Sequence, residues 1–273
     1  MSSLKRVENR AAFILDVVDR QGSAAYVALA DLLQVSTMTI RRDCDELARF
    51  GKVIKTVGGI QQASAAPYLY ENSVRERLAS NQLEKRAIAA KALELIKDRQ
   101  TIFLDGGTTN LALAKLVADQ RSGLTILTNS ALTCLELSKG NNTIIGIGGE
   151  YDPVTLSFAG SQADEMAKAF FIDQAFVTTK GFLPTDGTYE SAVATSRVKQ
   201  IMAERAGETV LLVDHSKFGV HALSKVLDIS QIDQVVTDEG ARKSDLAAVR
   251  RAGLKVNLAP LAKAEPDYVT LAH

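Results

Sequence analysis

Residues 35–60 read "VSTMTIRRDCDELARFGKVIKTVGGI". Ser36 is a good N-cap residue, since its hydroxyl can accept from a first-turn amide, and the spacing predicts a helix from Thr37 to about Phe50. Ile40, Cys44 and Leu47 fall at i, i+4 and i+7 and should face inward. Gly51 ends the helix. "KVIKTVGGI" then alternates as a two-stranded wing, its strands pairing with each other or with the loop after the first helix. Upstream, residues 7–20 place Val7, Ala11, Ile14, Leu15 and Val18 on one helical face, with Gly22 as the C′ residue. Residues 26–33 form a second short helix carrying Leu29, Leu32 and Leu33, and "QVS" is the turn. Two short helices, a turn, a third helix and a wing reproduce the winged helix-turn-helix length pattern.

In that arrangement the third helix enters the major groove with its N-terminal residues against base edges. Ser36, Thr37, Met38, Thr39, Arg41 and Arg42 lie at that end, and Lys52 and Lys55 lie in the wing. An arginine can donate twice to guanine O6 and N7, which discriminates by roughly 1–3 kcal/mol. The other arginine, with Lys52 and Lys55, would hold phosphates and fix register. The residues alone do not assign the two roles. Asp43 would repel phosphate, so it should turn away and brace an arginine or another part of the fold. The chain carries 32 Lys+Arg against 32 Asp+Glu, so no overall field draws it to nucleic acid. DNA binding must rest on local placement; one such head would be a weak reader, whereas two on a symmetric dimer would read half-sites about one or two turns apart, and a dimer and a tetramer both satisfy this.

Residues 61–75, "QQASAAPYLYENSVR", have no clean period and read as a linker between a domain at 1–60 and a larger one at 76–260, with a tail at 261–273. Residues 83–96 make an amphipathic helix. Short apolar runs at 101–104, 124–128, 142–148, 174–179, 209–213, 234–237 and 255–258 then alternate with helical segments such as 109–118, 130–139 and 194–206. Strands apolar on both faces and separated by helices predict an α/β domain with a doubly wound, mostly parallel sheet. No apolar stretch approaches the ~20 residues of a membrane span, and "MSSLKRVENR" lacks a signal-peptide core, so a cytoplasmic protein is expected. Cys44 and Cys134 fall at apolar helical positions and read as core residues of a reducing compartment rather than a disulfide.

The chemistry of the larger domain concentrates where strands end. "TIFLDGGTTNLALAKLV" runs from a strand through Asp105, Gly106, Gly107, Thr108 and Thr109 into a helix beginning near Asn110. Exposed amides at a helix start, with small residues and two hydroxyls, suit an anion. A plain strand-to-helix turn is the bland alternative. Thr128, Asn129 and Ser130 end a second strand, and Gly148 and Gly149 a third. Ligands in open α/β sheets collect at such carboxyl ends. No GxxxxGK[ST] loop occurs, and "GIGGEY" lacks the third glycine of a dinucleotide fingerprint. Three histidines without cysteine or paired acids at ligand spacing give no metal site, and no cofactor is expected.

Two sets of segments carry a resemblance to the DeoR family of bacterial regulators. One is the "VSTMTIRRDCDELARFGKVIKTVGGI" stretch, with Cys44 in the usual leucine place. The other comprises "KRAIAAKALELI", "LDGGTT", "LTNS", "GIGGEY", "AFVTTKGF" and "LLVDHSKFG", so the resemblance extends to about residue 240. It implies a sequence-specific DNA-binding repressor of a carbohydrate-catabolism operon. Its homo-oligomeric large domain, similar to ribose-5-phosphate isomerase, would bind a phosphorylated sugar or related metabolite. By position, Gly106, Gly107, Thr108 and Thr109 would take the phosphate, with Thr128, Asn129 and Ser130 nearby. Asp105, Asp214 and Lys217 would line the sugar end, and Glu190 would lie in a covering loop. Lys180 departs from the family pattern. It would either meet a second anionic group of the ligand or pair with Asp105 or Asp214. A sugar-phosphate isomerase with an added DNA-binding domain is the rival reading. It is disfavoured because the places of the isomerase acids hold Lys180 and Val198, leaving no poised base.

Overall fold

Ser36 Oγ accepts a hydrogen bond from Thr39 N at 3.2 Å, so the N-cap expected of the third helix is formed. The computed structural model describes residues 3–21, 23–49, 52–62 and 73–261. Gly22, Phe50, Gly51, the greater part of the 61–75 linker and all but the first residue of the 261–273 tail lie outside the described residues. The chain divides into two units, Met1–Ser73 and Val74–His273.

The first unit runs α1 (Ser3–Gln21), β1 (Ser23–Ala25), α2 (Tyr26–Leu33), α3 (Thr37–Arg49), β2 (Val53–Thr56) and β3 (Gly59–Gln62). Ile14 and Val18 of α1, Leu29 of α2 and Ile40, Cys44 and Leu47 of α3 meet in one core with Val53 and Ile60 of the wing. Leu32 does not join them. It is 59% exposed, because the inward stripe of α2 runs through Tyr26, Leu29 and Ala30. Gln34 ends α2 in the left-handed region, its N–H returning to Ala30 O. The wing strands β2 and β3 pair antiparallel, and β3 also pairs with β1 after the first helix, so both expected pairings occur. Gly58, at φ 89°, supplies the positive φ of the two-residue turn.

The second unit begins with α4 (Val74–Ala79) and α5 (Gln82–Leu93), then β4 (Thr101–Leu104), α6 (Thr108–Gln120), β5 (Ser122–Thr128), α7 (Ala131–Leu137) and β6 (Asn141–Gly146). It continues with β7 (Glu150–Asp152), β8 (Ser157–Ala159), α8 (Ser161–Lys168), β9 (Ile172–Thr178), β10 (Gly181–Leu183), β11 (Gly187–Glu190) and α9 (Val193–Glu204). It closes with β12 (Ala206–Leu212), β13 (Ser224–Asp228), β14 (Gln234–Asp238), α10 (Lys243–Arg251) and β15 (Lys255–Ala259). Seven strands form one sheet in the order β15-β14-β12-β9-β4-β5-β6, and every neighbouring pair is parallel.

Alternate residues of these strands feed two cores. Phe103, Ala175, Val177, Leu211 and Val235 pack with α8, α9 and α10. Ile102, Leu104, Phe176, Val210 and Val236 pack with α5, α6 and α7. Burial on both faces explains why these strands read as unbroken apolar runs. The edge strands β6 and β15 are only half-buried. From β4 the chain winds outward through β5 and β6, then returns to β9 and winds the other way. The reversal therefore falls between β4 and β9, at the carboxyl ends carrying Asp105 and Thr178. Such a switch point opens a crevice. Two small antiparallel sheets, β7-β8 and β10-β11-β13, complete the unit.

Candidate functional site

In the first unit, α3 turns Ile40, Asp43, Cys44 and Leu47 inward and leaves Met38, Arg41 and Arg42 exposed. Asp43 does turn away from the outer face. It accepts from Arg10 Nε at 2.7 Å and from the same guanidinium's second nitrogen at 3.1 Å, and this bond raises the Arg10 pKa. Burial, with the Asp43 and Asp45 charges, pushes the Cys44 thiol up to about 11, so it behaves as a core side chain. The two arginines are not equivalent. Arg41 lies over the Tyr26 ring, 5.4 Å from its centroid, which holds it toward α2. Arg42, one turn beyond Met38, shares the outward face with it. Thr37 and Thr39 are half-buried and Ser36 and Lys52 exposed. Lys55 pairs with Asp45 at 2.5 Å, so a phosphate there would have to share it.

In the second unit the Asp105 carboxylate is not open to a ligand. It is 2% exposed, and donors of the protein surround both oxygens. Oδ1 accepts from Gly107 N (2.9 Å), Asn110 Nδ2 (2.8 Å) and Thr178 Oγ1 (2.9 Å). Oδ2 accepts from Thr178 N at 2.7 Å and lies 3.1 Å from Lys199 Nζ. Asp105 thus ties the end of β4 to the start of α6 and the end of β9. The same Lys199 ammonium lies 2.6 Å from Glu190 Oε1 and donates to Thr178 O. Burial alone would push this amine down; the Asp105 and Glu190 carboxylates outweigh that and hold it above the ordinary lysine value. Lys180 donates to Ser191 Oγ at 2.6 Å, and the ammonium beside Asp105 is that of Lys199.

The glycines of "DGGTT" have a steric reason. A Cβ on Gly106 would come within 2.3 Å of Ser157 Oγ, and one on Gly107 within 1.9 Å of Thr178 Oγ1. The turn is therefore packed against the side chains of β8 and β9. It brings Gly106, Gly107, Ser130, Ser157 and Thr178 together at the switch point. Gly107 is the N-cap of α6, with no side-chain capping bond, and Thr108 and Thr109 open its first turn. Thr128 Oγ1 accepts from Ser130 N, and Ser130 Oγ caps α7 through Thr133 N. Asn129 Nδ2 donates to Phe158 O. This triplet is thus built into the local turn, although Asn129 Oδ1 and Asn110 Oδ1 stay buried and unbonded. Gly148 and Gly149 follow β6, two strands out from β4.

Asp214 accepts from Asn81 Nδ2 at 3.0 Å and caps the short 3-10 turn His215–Lys217 through Ser216 N, leaving Lys217 half-buried. Its charge and that of Lys217 both act on Lys85, a residue that the sequence reading passed over. Lys85 is 7% exposed and donates to Ser80 O at 2.6 Å and to Arg77 O, holding the C-terminal end of α4. Burial pushes its amine down to about 8. A cavity of about 580 Å³ runs between α5 and α6, with Lys85, Arg86, Lys115, Ala89, Leu111 and Thr108 on its wall. Of the residues singled out from sequence, Thr108 alone faces it. A signal for Lys85 was present: it falls at i, i+3, i+4 and i+7 with Ile88, Ala89 and Ala92, a cation on the apolar stripe.

A winged helix-turn-helix followed by a doubly wound sensor-like unit defines a class of DNA-binding regulators. Residues 10–65 match the DeoR-like helix-turn-helix domain, and residues 80–239 match the DeoR C terminal sensor domain. The chain belongs to the DeoR family of helix-turn-helix transcriptional regulators. It is 32% identical to the HTH-type transcriptional regulator YulB of Bacillus subtilis (strain 168), over 94% of this chain and 98% of that protein. It is 34% identical to the lactose phosphotransferase system repressor of Lactococcus lactis subsp. lactis, over 87% of this chain and 92% of that protein. Among solved structures, a D-ribose-5-phosphate isomerase in complex with phospho-erythronic acid aligns with 50% of this chain and 53% of its own. The identity there is 20% and the TM-score 0.39. Among the described residues no helix is long and apolar enough to cross a membrane.

Proposed function

We propose that this regulator is a cytoplasmic repressor of a carbohydrate-catabolism operon, controlled by a phosphorylated sugar or related metabolite. Two copies of the first unit read a repeated operator, and the second unit supplies both the effector site and the oligomer contact. The observation that carries the effector reading is the first turn of α6. Its N-cap Gly107 has no side chain to cap the turn, Asp105 takes only the Gly107 amide, Thr108 opens onto a cavity, and Lys85, Arg86 and Lys115 stand on the wall of that cavity. Amides at a helix start together with cations favour a phosphate. Lys217 would meet the sugar end, while Asp105, Glu190 and Lys199 hold the switch point in shape. The family relationship supports the repressor role, the lactose phosphotransferase system repressor being one relative.

Catalysis is not part of this reading. Val198 is fully buried and apolar, and the Glu190 carboxylate is held by Lys199 rather than free to take a carbon-bound proton. A thermal-shift screen of phosphorylated sugars beside their unphosphorylated counterparts tests the proposal. Stabilisation by at least one phosphorylated member, absent with its parent sugar, is expected. Equal shifts with both would remove the phosphate site. An isomerisation assay with ribose-5-phosphate should stay at background, and clear turnover would reinstate the enzyme.

A further inference from the structure

The outward face of α3 carries an apolar side chain where a DNA-reading helix would be expected to carry polar ones. Met38 is 67% exposed in the first turn, and Arg42 is exposed one turn later on the same face. The neighbouring groups are committed elsewhere. Arg41 is held over Tyr26, Asp45 is paired with Lys55, and the Thr39 hydroxyl lies 2.9 Å from Ser36 Oγ within the cap. Met38 and Arg42 therefore stand exposed together at the reading end. Their chemistries are complementary to two features of the major groove: the guanidinium to guanine O6 and N7, and an apolar side chain to the 5-methyl group of thymine. Methionine is unbranched and polarisable, so it can follow a methyl group without a fixed rotamer.

We propose that Met38 is a specificity-determining residue that reads a thymine methyl within about one base pair of the guanine gripped by Arg42. This rests on the DNA-reading assignment of α3. Thymine replaced by deoxyuridine loses only the methyl, so the contact can be tested atom by atom. The full chain is first used to select binding sequences from a random duplex pool. Each thymine of the selected half-site is then replaced singly by deoxyuridine, and affinity is measured by anisotropy at fixed salt. Wild type and Met38→Ala are compared, with thermal unfolding confirming that the variant is folded.

One replacement per half-site should weaken wild-type binding about fourfold, the worth of one methyl withdrawn from water. The same replacement should leave Met38→Ala unchanged. Indifference of the wild type to every replacement, or an equal loss in the variant, would overturn the Met38 contact while leaving DNA reading intact. Failure of the chain to enrich any sequence would overturn both.

Discussion

The ammonium of Lys199 lies 3.1 Å from the Asp105 carboxylate, joining α9 to the end of β4 beneath the switch point. A second carboxylate, Glu190, lies 2.6 Å from the same nitrogen. Removing the cation leaves two buried acids without their partner, at a cost of roughly 3–5 kcal/mol. Lys199→Met should therefore lower the urea midpoint of the second unit strongly, and adding Glu190→Gln should recover part of the loss. The amine's pKa is raised on folding, so its stabilisation is fully present below the ordinary lysine value and fades only as pH climbs past it. An unchanged midpoint in Lys199→Met would show that this ammonium is dispensable.

Lys85 has the opposite sign. Its folded pKa is about 8 against an ordinary 10.5, so between those values the native amine loses its proton before the unfolded one does. Stability should rise with pH across that window in the wild type, and this rise should be missing in Lys85→Met. Hydrogen exchange at the end of α4 should quicken in the variant, since Arg77 O and Ser80 O lose their donor. Parallel pH profiles would remove the assigned role.

Arg10 and Asp43 join α1 to the inner side of α3. Asp43→Asn leaves a charged guanidinium with a weaker partner, and hydrogen bonds to charged groups contribute about 1.5–3 kcal/mol. The first unit should lose stability of that order while the preferred DNA sequence stays the same. A changed sequence preference at unchanged stability would mean that Asp43 faces DNA after all.

Arg42→Ala should flatten discrimination at one base pair by roughly 1–3 kcal/mol. Lys52→Ala should instead weaken all duplexes alike and lower the salt slope by about one. Competition binding with single-base operator variants at two salt concentrations separates the two effects. A uniform loss in Arg42→Ala would assign that arginine to phosphate.

Much of this architecture is legible in the sequence. The Ile40, Cys44 and Leu47 stripe, the Ser36 cap and the double-glycine wing are local patterns, and local patterns survive folding. The inner strands of the parallel sheet are legible because they are buried on both faces, while the half-buried edge strands β6 and β15 are legible from their place in the strand–helix alternation. Strands such as β1, β7 and β10, three residues each, were missed because so short a run shows no period, whether its partner is distant, as for β1, or the next strand along, as for β7 and β10. Asp105 shows the limit most clearly. A carboxylate after a strand reads the same whether it faces a ligand or its own helix start, and here it faces Gly107, Asn110 and Thr178. Lys85 was overlooked because a lysine on a helix is assigned to solvent by default, even on an apolar stripe.

The proposed regulator joins a DNA-reading unit to a sensor whose α6 start receives a metabolite's phosphate. Labelled operator complexes of wild type and Thr108→Glu, titrated with the phosphorylated sugar that most stabilises the wild type, put this to the test. The expected result is equal starting affinity for operator, a clear change in the wild type on titration and none in Thr108→Glu, whose carboxylate occupies the anion's place. An equal response from Thr108→Glu, or an equal response to the unphosphorylated sugar, would contradict it.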